Sequence, residues 1–209
     1  MLAANSSVVI APINGTVVQV LRCPADPAGI KIPPAGANQG YHINYVLCHG
    51  NGSAVSVAQN SPAITRFGLD NNGLFYGRSA IKLVTVTDGT SNTIAVSEIL
   101  LSNLGTASDG DVRGRAWNAI HAGATFSTIF PPNSTIGDYP QGRRCVAVPN
   151  APCAASNTNG VYLLARSGHS GGVNACMADG SARFFSNGIT PSAWLAIGTR
   201  AGGETVSLD

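Results

Sequence analysis

Short β-prone runs, each ended by a cluster of glycine, proline or small polar residues, set the rhythm of this chain. Three of them stand near the C-terminus: Val161–Ala165, Val173–Ala178 and Ser181–Ser186. The first breaks at Ser167-Gly168-His169-Ser170-Gly171-Gly172, and only Asp179-Gly180 separates the other two. Asp-Gly between two strand-like runs is a strong hairpin signal, because a type I′ turn needs positive φ at both central positions. The pattern predicts a three-stranded antiparallel meander. Further upstream, Tyr41–Cys48, Ile81–Thr87 and Thr93–Leu101 read as strands, and Asp26–Gly40, Asn60–Gly77 and Ser127–Gln141 as loops. Thr190 through Gly198 predicts the one short helix, around Pro191–Ile197: a threonine to cap it, proline in its first turn and glycine at its end.

At the N-terminus, Ser7–Pro12 and Thr16–Arg22 are β-prone runs joined through Ile13-Asn14-Gly15. Residues 1–22 are thus either a hairpin of their own or an arm whose strand is donated to a neighbouring sheet edge. Residues 23–209 read as a single β-rich globular domain. The fold class expected is mainly β (α+β), with antiparallel hairpins and a meander.

Composition sharpens this picture. Charged residues make up 11% of the 209, and 25 glycines and 12 prolines supply turns. Low charge with 44% hydrophobic residues is the opposite of a disordered composition. It suits a β-rich protein surfaced with Ser, Thr and Asn, or one covered by neighbouring subunits. The net charge of +2, with no basic cluster larger than Arg143-Arg144, is too small to argue for nucleic acid, and no nucleic-acid partner is expected. No apolar run approaches the roughly 20 residues of a membrane span.

The candidate chemistry is sparse. Gly168-His169-Ser170-Gly171-Gly172 matches the G-x-S-x-G elbow of serine hydrolases, but that elbow needs a helix after the serine and a histidine later in the chain. A strand follows here, and His169 is the last of the four histidines. A hydrolase using Ser170 is therefore disfavoured, and the chain is not expected to be an enzyme. His169 and Asp179 would make an attractive metal pair. Yet ten steps of extended chain at about 3.3 Å each would separate them by roughly 30 Å. Both read instead as turn residues, and no metal and no cofactor is called for. Asp88-Gly89-Thr90-Ser91-Asn92 reads as a turn whose side chains hydrogen-bond their own backbone. Glu98, in an otherwise apolar run, faces solvent or pairs with Arg113 or Arg115. Among the five cysteines, Cys145 and Cys153 bracket one proline-punctuated loop and Cys23 and Cys48 another, so both pairs are disulfide candidates, leaving Cys176 as a buried thiol. Disulfides place a protein outside the reducing cytosol.

His169, nine intervening residues and Asp179-Gly180 form a His-x9-Asp-Gly signature. In the same order along the chain stand Cys23-Pro24-Ala25-Asp26, Asn44-Tyr45, Asn72-Gly73, the run Thr87-Asp88-Gly89-Thr90-Ser91-Asn92-Thr93-Ile94, Glu98, Arg113-Gly114, Trp117 and Thr199 through Glu204. Together these resemble a large bacterial family of prepilin-like (pseudopilin-like) proteins built on a domain of unknown function, over most of the chain from about Leu21. The resemblance implies a pilin-like globular head and marks Asp88, Gly89, Asn92, Glu98, Arg113, Trp117, His169, Asp179 and Gly180 as its structural motif. Such proteins usually open with a basic leader and a long apolar helix. This chain opens Met1-Leu2-Ala3-Ala4-Asn5-Ser6, so the expectation is that the helix was removed or that this member assembles differently.

The leading functional expectation is an extracellular or cell-surface structural protein of a bacterium, a pilin-like subunit that forms a homo-oligomer or filament. The alternative is a secreted module binding glycan or calcium through loops at Asp70–Gly73 or Asp88–Asn92. The Asp-Asn-Asn-Gly run lacks the spaced carboxylates of a calcium loop, so a turn is the better reading there.

Overall fold

The computed structural model describes residues 15–32, 40–52, 54–55, 71–77, 79–103, 111–115, 122–140, 144–154 and 160–204. Its strands, in chain order, are β1 (Tyr45–Cys48), β2 (Ala54–Val55), β3 (Ile94–Glu98), β4 (Thr125–Phe126), β5 (Gly160–Val161), β6 (Gly172–Met177) and β7 (Ala182–Ser186), followed by one helix, α1 (Pro191–Ile197). Five strands form a sheet in the order β4-β1-β3-β6-β7, and β2 pairs with β5 in a separate two-stranded ribbon. The protein is mainly β, with one short α-helix among the described residues. All neighbours in the large sheet are antiparallel except β1 and β4, which run parallel, so the sheet is mixed rather than purely antiparallel.

The hairpin at Asp179-Gly180 is present as β6–β7, but its turn differs from the expected type. Gly180 N–H donates to Met177 O at 3.0 Å, and Gly180 has φ +85° while Asp179 does not enter the left-handed region. Met177 N–H donates to Ser181 O at 2.8 Å. This is a type I turn closed by one left-handed glycine, the pattern of a three-residue loop with a G1 bulge. The meander itself is corrected. Val161–Ala165 does not lie beside β6; β3 does. Gly160–Val161 pairs instead with β2, and Tyr162 and Leu164 bridge to Tyr139 and Ser127.

Two other strand expectations fail for a local reason. Ile81–Thr87 holds a single 3-10 turn, Leu83–Thr85, and Thr16–Arg22 holds another, Gln19–Leu21. Val20, Leu83 and Val84 are exposed in these turns, so apolar residues that look like a buried strand face have no sheet to join. The expected Asn14-Gly15 hairpin and the strand Ser7–Pro12 involve residues outside the described ones.

The core lies on one face of the large sheet. Val46 and Cys48 of β1, Ile94 of β3, Val173, Ala175 and Met177 of β6 and Phe185 of β7 pack there with Trp194 and Ile197 of α1. Trp194 is fully buried and meets Phe185 edge-on, ring centroids 5.6 Å apart. The helix forms where expected: Thr190 Oγ1 accepts from Ala193 N–H at 3.4 Å and proline opens the first turn.

The other face is set by the register. Leu47 of β1, Val96 of β3, Cys176 of β6 and Ala182 of β7 make one row across four strands, and Tyr45 faces Glu98 while Asn174 faces Phe184 in the next. Phe184 is 51% and Leu47 36% exposed. This face stands open.

Candidate functional site

Glu98 reaches the open face through an irregularity. Strand β3 pairs Ile94 with Met177 but Val96 with Cys176, so one extra residue is accommodated between them. Strict alternation from the inward-facing Ile94 would turn Glu98 into the core. The bulge shifts the phase, placing Ser97 inward beside Val46 and Ala175 and Glu98 outward beside Tyr45.

There Glu98 meets Cys23 and His169. His169 Nε2 lies 3.1 Å from Glu98 Oε1 and 3.6 Å from Cys23 Sγ, and Cys23 Sγ lies 3.5 Å from the same carboxylate oxygen. Glu98 and Cys23 are buried, while the His169 side chain is 35% exposed. The other side of the carboxylate is fixed: Asn174 N–H donates to Glu98 Oε2 at 2.8 Å, and Asn174 Nδ2 donates to Oε1 at 3.3 Å. Cys23 is held by its backbone, whose N–H donates to Asn44 Oδ1 at 3.0 Å. Asn44 Nδ2 in turn donates to Asp26 Oδ2 at 2.5 Å, which also accepts from Leu101 N–H at 2.9 Å. His169 sits in the turn before β6, its N–H donating to Ser167 Oγ at 3.0 Å. Three sequence-distant segments thus converge, two of them contributing residues (Glu98 and His169) first assigned structural and turn roles.

Burial pushes the Cys23 thiol above its ordinary range, and the Glu98 carboxylate beside it adds to the effect. Tyr45, within hydrogen-bonding reach of the thiol, is pushed up to about 12, chiefly by burial and then by Cys23 and Glu98. A cavity of about 430 Å³ opens beside the trio, lined by Tyr45, Val96, Asn174, Cys176 and Ala182 among others.

The expected partner of Glu98 is therefore corrected. His169 takes that place, and Arg113 is committed elsewhere. Arg113 Nη2 contacts Asp111 Oδ2 at 2.7 Å and its Nη1 contacts Asp138 Oδ2 at 3.1 Å, while Val146 O and Ala151 O accept from the same guanidinium. Arg166 Nε reaches the other oxygen of Asp138 at 2.9 Å, and Lys31 Nζ lies 3.4 Å from Asp111 Oδ1. Burial opposes the charge on Arg113, but Asp111 and Asp138 outweigh it and hold the guanidinium above its usual range. Burial likewise opposes the Asp111 carboxylate, and Arg113 holds it below its usual range. Arg115 forms a backbone bridge with His42. This network has no open face; it ties loops together.

Disulfide candidates divide. Cys145 and Cys153 are bonded, closing the loop from which Val146 O and Ala151 O reach Arg113. Cys23 and Cys48 are free thiols, a correction to the second pair: Cys48 points into the core and Cys23 toward Glu98. Cys176 is half-buried on the open face rather than buried.

The remaining motif residues do local work. Asp88 Oδ2 accepts from Gly202 N–H at 2.7 Å and Thr199 Oγ1 at 3.1 Å, and Oδ1 from Gly203 N–H at 2.9 Å, pinning the C-terminal segment. Asn92 Nδ2 donates to Asp88 O at 3.2 Å across the turn that contains Gly89, whose φ is +95°. Asp179, exposed, accepts from Ser181 N–H and Oγ, which lower its carboxyl. His169 and Asp179 stand at opposite ends of β6 with separate partners. At the alternative calcium loop, Asn72 O and Gly73 O accept from Arg200 at 2.7 Å each, and Asp70 lies outside the described residues. Ser170 is exposed and followed by a strand, not a helix. Trp117 lies outside the described residues.

A family model described as "Protein of unknown function (DUF1559)" matches residues 3–192. No curated protein and no solved structure matches the chain.

Proposed function

We propose that this chain, which belongs to the DUF1559 family of proteins of unknown function, is an extracellular, pilin-like structural subunit that assembles with copies of itself. The observation that carries the reading is the open sheet face. Tyr45, Leu47, Val96, Cys176, Ala182 and Phe184 present a mostly apolar surface across four strands, with exposed Leu47 and Phe184 near its ends. Apolar surface of this kind is favourable to bury against a partner, and a chain with only 11% charged residues has few groups to oppose self-contact. The Cys145–Cys153 disulfide suits an oxidising location, and no helix among the described residues is long and apolar enough to cross a membrane.

Sedimentation velocity and negative-stain imaging of the purified protein test the reading. Wild-type protein should form oligomers or filaments, and the Leu47→Lys/Phe184→Lys pair should remain monomeric with unchanged circular dichroism. Both side chains are exposed, so the folding cost of the exchange is small. A wild type that stays monomeric at every concentration would overturn the reading, and equal assembly by the variant would overturn the role of this face. The second reading, a secreted binding module, is favoured by the cavity beside Cys23, Glu98 and His169.

A further inference from the structure

We propose that Cys23, Glu98 and His169 form a binding site for a zinc-class divalent transition-metal ion, with its fourth coordination position open to the neighbouring cavity. The three donors all lie within 4.8 Å of one another. Zinc bonds of about 2.3 Å to sulfur and about 2.0–2.1 Å to nitrogen and oxygen at tetrahedral angles require donor separations near ~3.6 Å for S···N, ~3.5 Å for S···O and ~3.3 Å for N···O. The corresponding separations here are 3.6, 3.5 and 3.1 Å. The donor atoms already occupy one face of a tetrahedron.

The directions of the donors argue the same way. In a nucleophile–base–acid relay the imidazole uses one nitrogen for the thiol and the opposite one for the carboxylate. His169 turns Nε2 toward both Cys23 Sγ and Glu98 Oε1. Convergence of all three donors on one point leaves no relay but suits a cation at the centre. The mixed sulfur, nitrogen and oxygen set fits zinc or a similar borderline ion better than calcium or magnesium, which take oxygen donors.

The surroundings fix the ligands as a metal site requires. Asn174 holds Glu98 Oε2 by its backbone N–H and reaches Oε1 by its Nδ2 at 3.3 Å, so Oε1 is fixed where it faces the other two donors. Asn44 and Asp26 hold the Cys23 backbone, and Ser167 holds that of His169. On binding, Cys23 gives its thiol proton to solvent while sulfur keeps the electron pair that it donates to the metal. Thiolate and carboxylate then balance the two positive charges of the ion, so the filled site is neutral. Its open side, toward Tyr45 and Asn174, leaves room for water or an exogenous ligand.

The test is titration of chelator-treated protein with zinc, followed by calorimetry and elemental analysis, and with cobalt, followed by absorption. One ion per chain should bind, and cobalt should give a thiolate-to-metal charge-transfer band. Cys23→Ser should remove that band and, like His169→Gln, weaken zinc binding by about a hundredfold or more. The ring of His169 is partly exposed, so its variant keeps the fold, and the cobalt band of the wild-type protein needs no variant at all. Absence of stoichiometric zinc uptake, a cobalt complex without the thiolate band, or undiminished binding by His169→Gln would each overturn the proposal.

Discussion

Replacing Asp138 by Asn should destabilise the protein out of proportion to the loss of one oxygen. Asp138 is buried between two guanidinium groups, Arg113 Nη1 at 3.1 Å from Oδ2 and Arg166 Nε at 2.9 Å from Oδ1, and it also accepts from Leu164 N–H at 3.1 Å. The asparagine keeps the shape and one acceptor, but its amide nitrogen must face a guanidinium that also only donates. Each lost hydrogen bond to a charged group costs about 1.5–3 kcal/mol. Breaking one partner of a buried ion network costs about 3–5 kcal/mol, because the remaining charge has no compensation. We take about 3–5 kcal/mol, a fall in Tm of about 6–20 °C for a chain of this size. Urea and thermal melts followed by circular dichroism measure it. Adding Arg166→Met to the same chain should cost less than the sum of the two changes by about 1 kcal/mol or more, since it removes one uncompensated charge. A Tm within about 3 °C of wild type for Asp138→Asn would refute the argument that this network holds the loops.

Acid should weaken the fold through two buried histidines. Burial first, then Lys31, pushes the His42 imidazole down to about 3, and burial pushes His49 down to about 4. His42 Nδ1–H donates to Arg113 O, and its buried Nε2 has no partner among the described residues, so the folded protein keeps the ring neutral. Below about 6.5 the unfolded chain takes up these protons first. Stability is therefore full above that value and falls as pH drops toward 4 and then 3, by at most about 1.4 kcal/mol per pH unit for each ring. Urea midpoints at pH 7, 6 and 5 should decline in turn; a flat series would refute this. Trp194→Ala should cost about 3–5 kcal/mol, because a fully buried indole packed on Phe185 leaves a cavity that the short helix cannot close. A thermal melt reads the loss, and a cost below about 1 kcal/mol would show that the helix repacks.

The parts of the fold legible in the sequence were those with a local cause. The β6–β7 hairpin follows from Asp179-Gly180, and α1 from Thr190, Pro191 and Gly198, because cap and turn chemistry act over three or four residues. The other strand partner of β6 was not legible. Val161–Ala165 and Thr93–Leu101 are both apolar β-prone runs, and nothing local distinguishes which one lies beside Val173–Ala178. The same limit produced the false strands at Ile81–Thr87 and Thr16–Arg22, where apolar residues are spent on exposed 3-10 turns. Among the cysteines, spacing alone served for Cys145–Cys153, which closes a short loop. It failed for Cys23 and Cys48, where strand β1 turns Cys48 into the core while Cys23, outside the strands, meets Glu98.

The Cys23, Glu98 and His169 cluster was hidden for a related reason. Measuring reach along the chain correctly separates His169 from Asp179, since an extended strand lies between them. It says nothing about Glu98, which precedes His169 by seventy-one positions and meets it across the β3–β6 pairing. Even a correct pairing read with strict alternation would have turned Glu98 away, because Ile94, Val96 and Glu98 share one phase until the bulge breaks it. The extra residue between Ile94 and Val96 lets Ile94 stay in the core while Val96 and Glu98 move to the open face. A carboxylate delivered there by a strand, and fixed by Asn174 of the adjacent strand, loses little further freedom when a third group engages it. The open face therefore combines two physically different surfaces on one sheet: an apolar row through Leu47, Val96, Cys176 and Ala182 suited to burial, and a polar corner at Glu98 suited to coordination. Burial of the row needs no metal, and coordination needs no neighbour, so the two can operate separately; but a partner lying across the row would also close the cavity over the open coordination position.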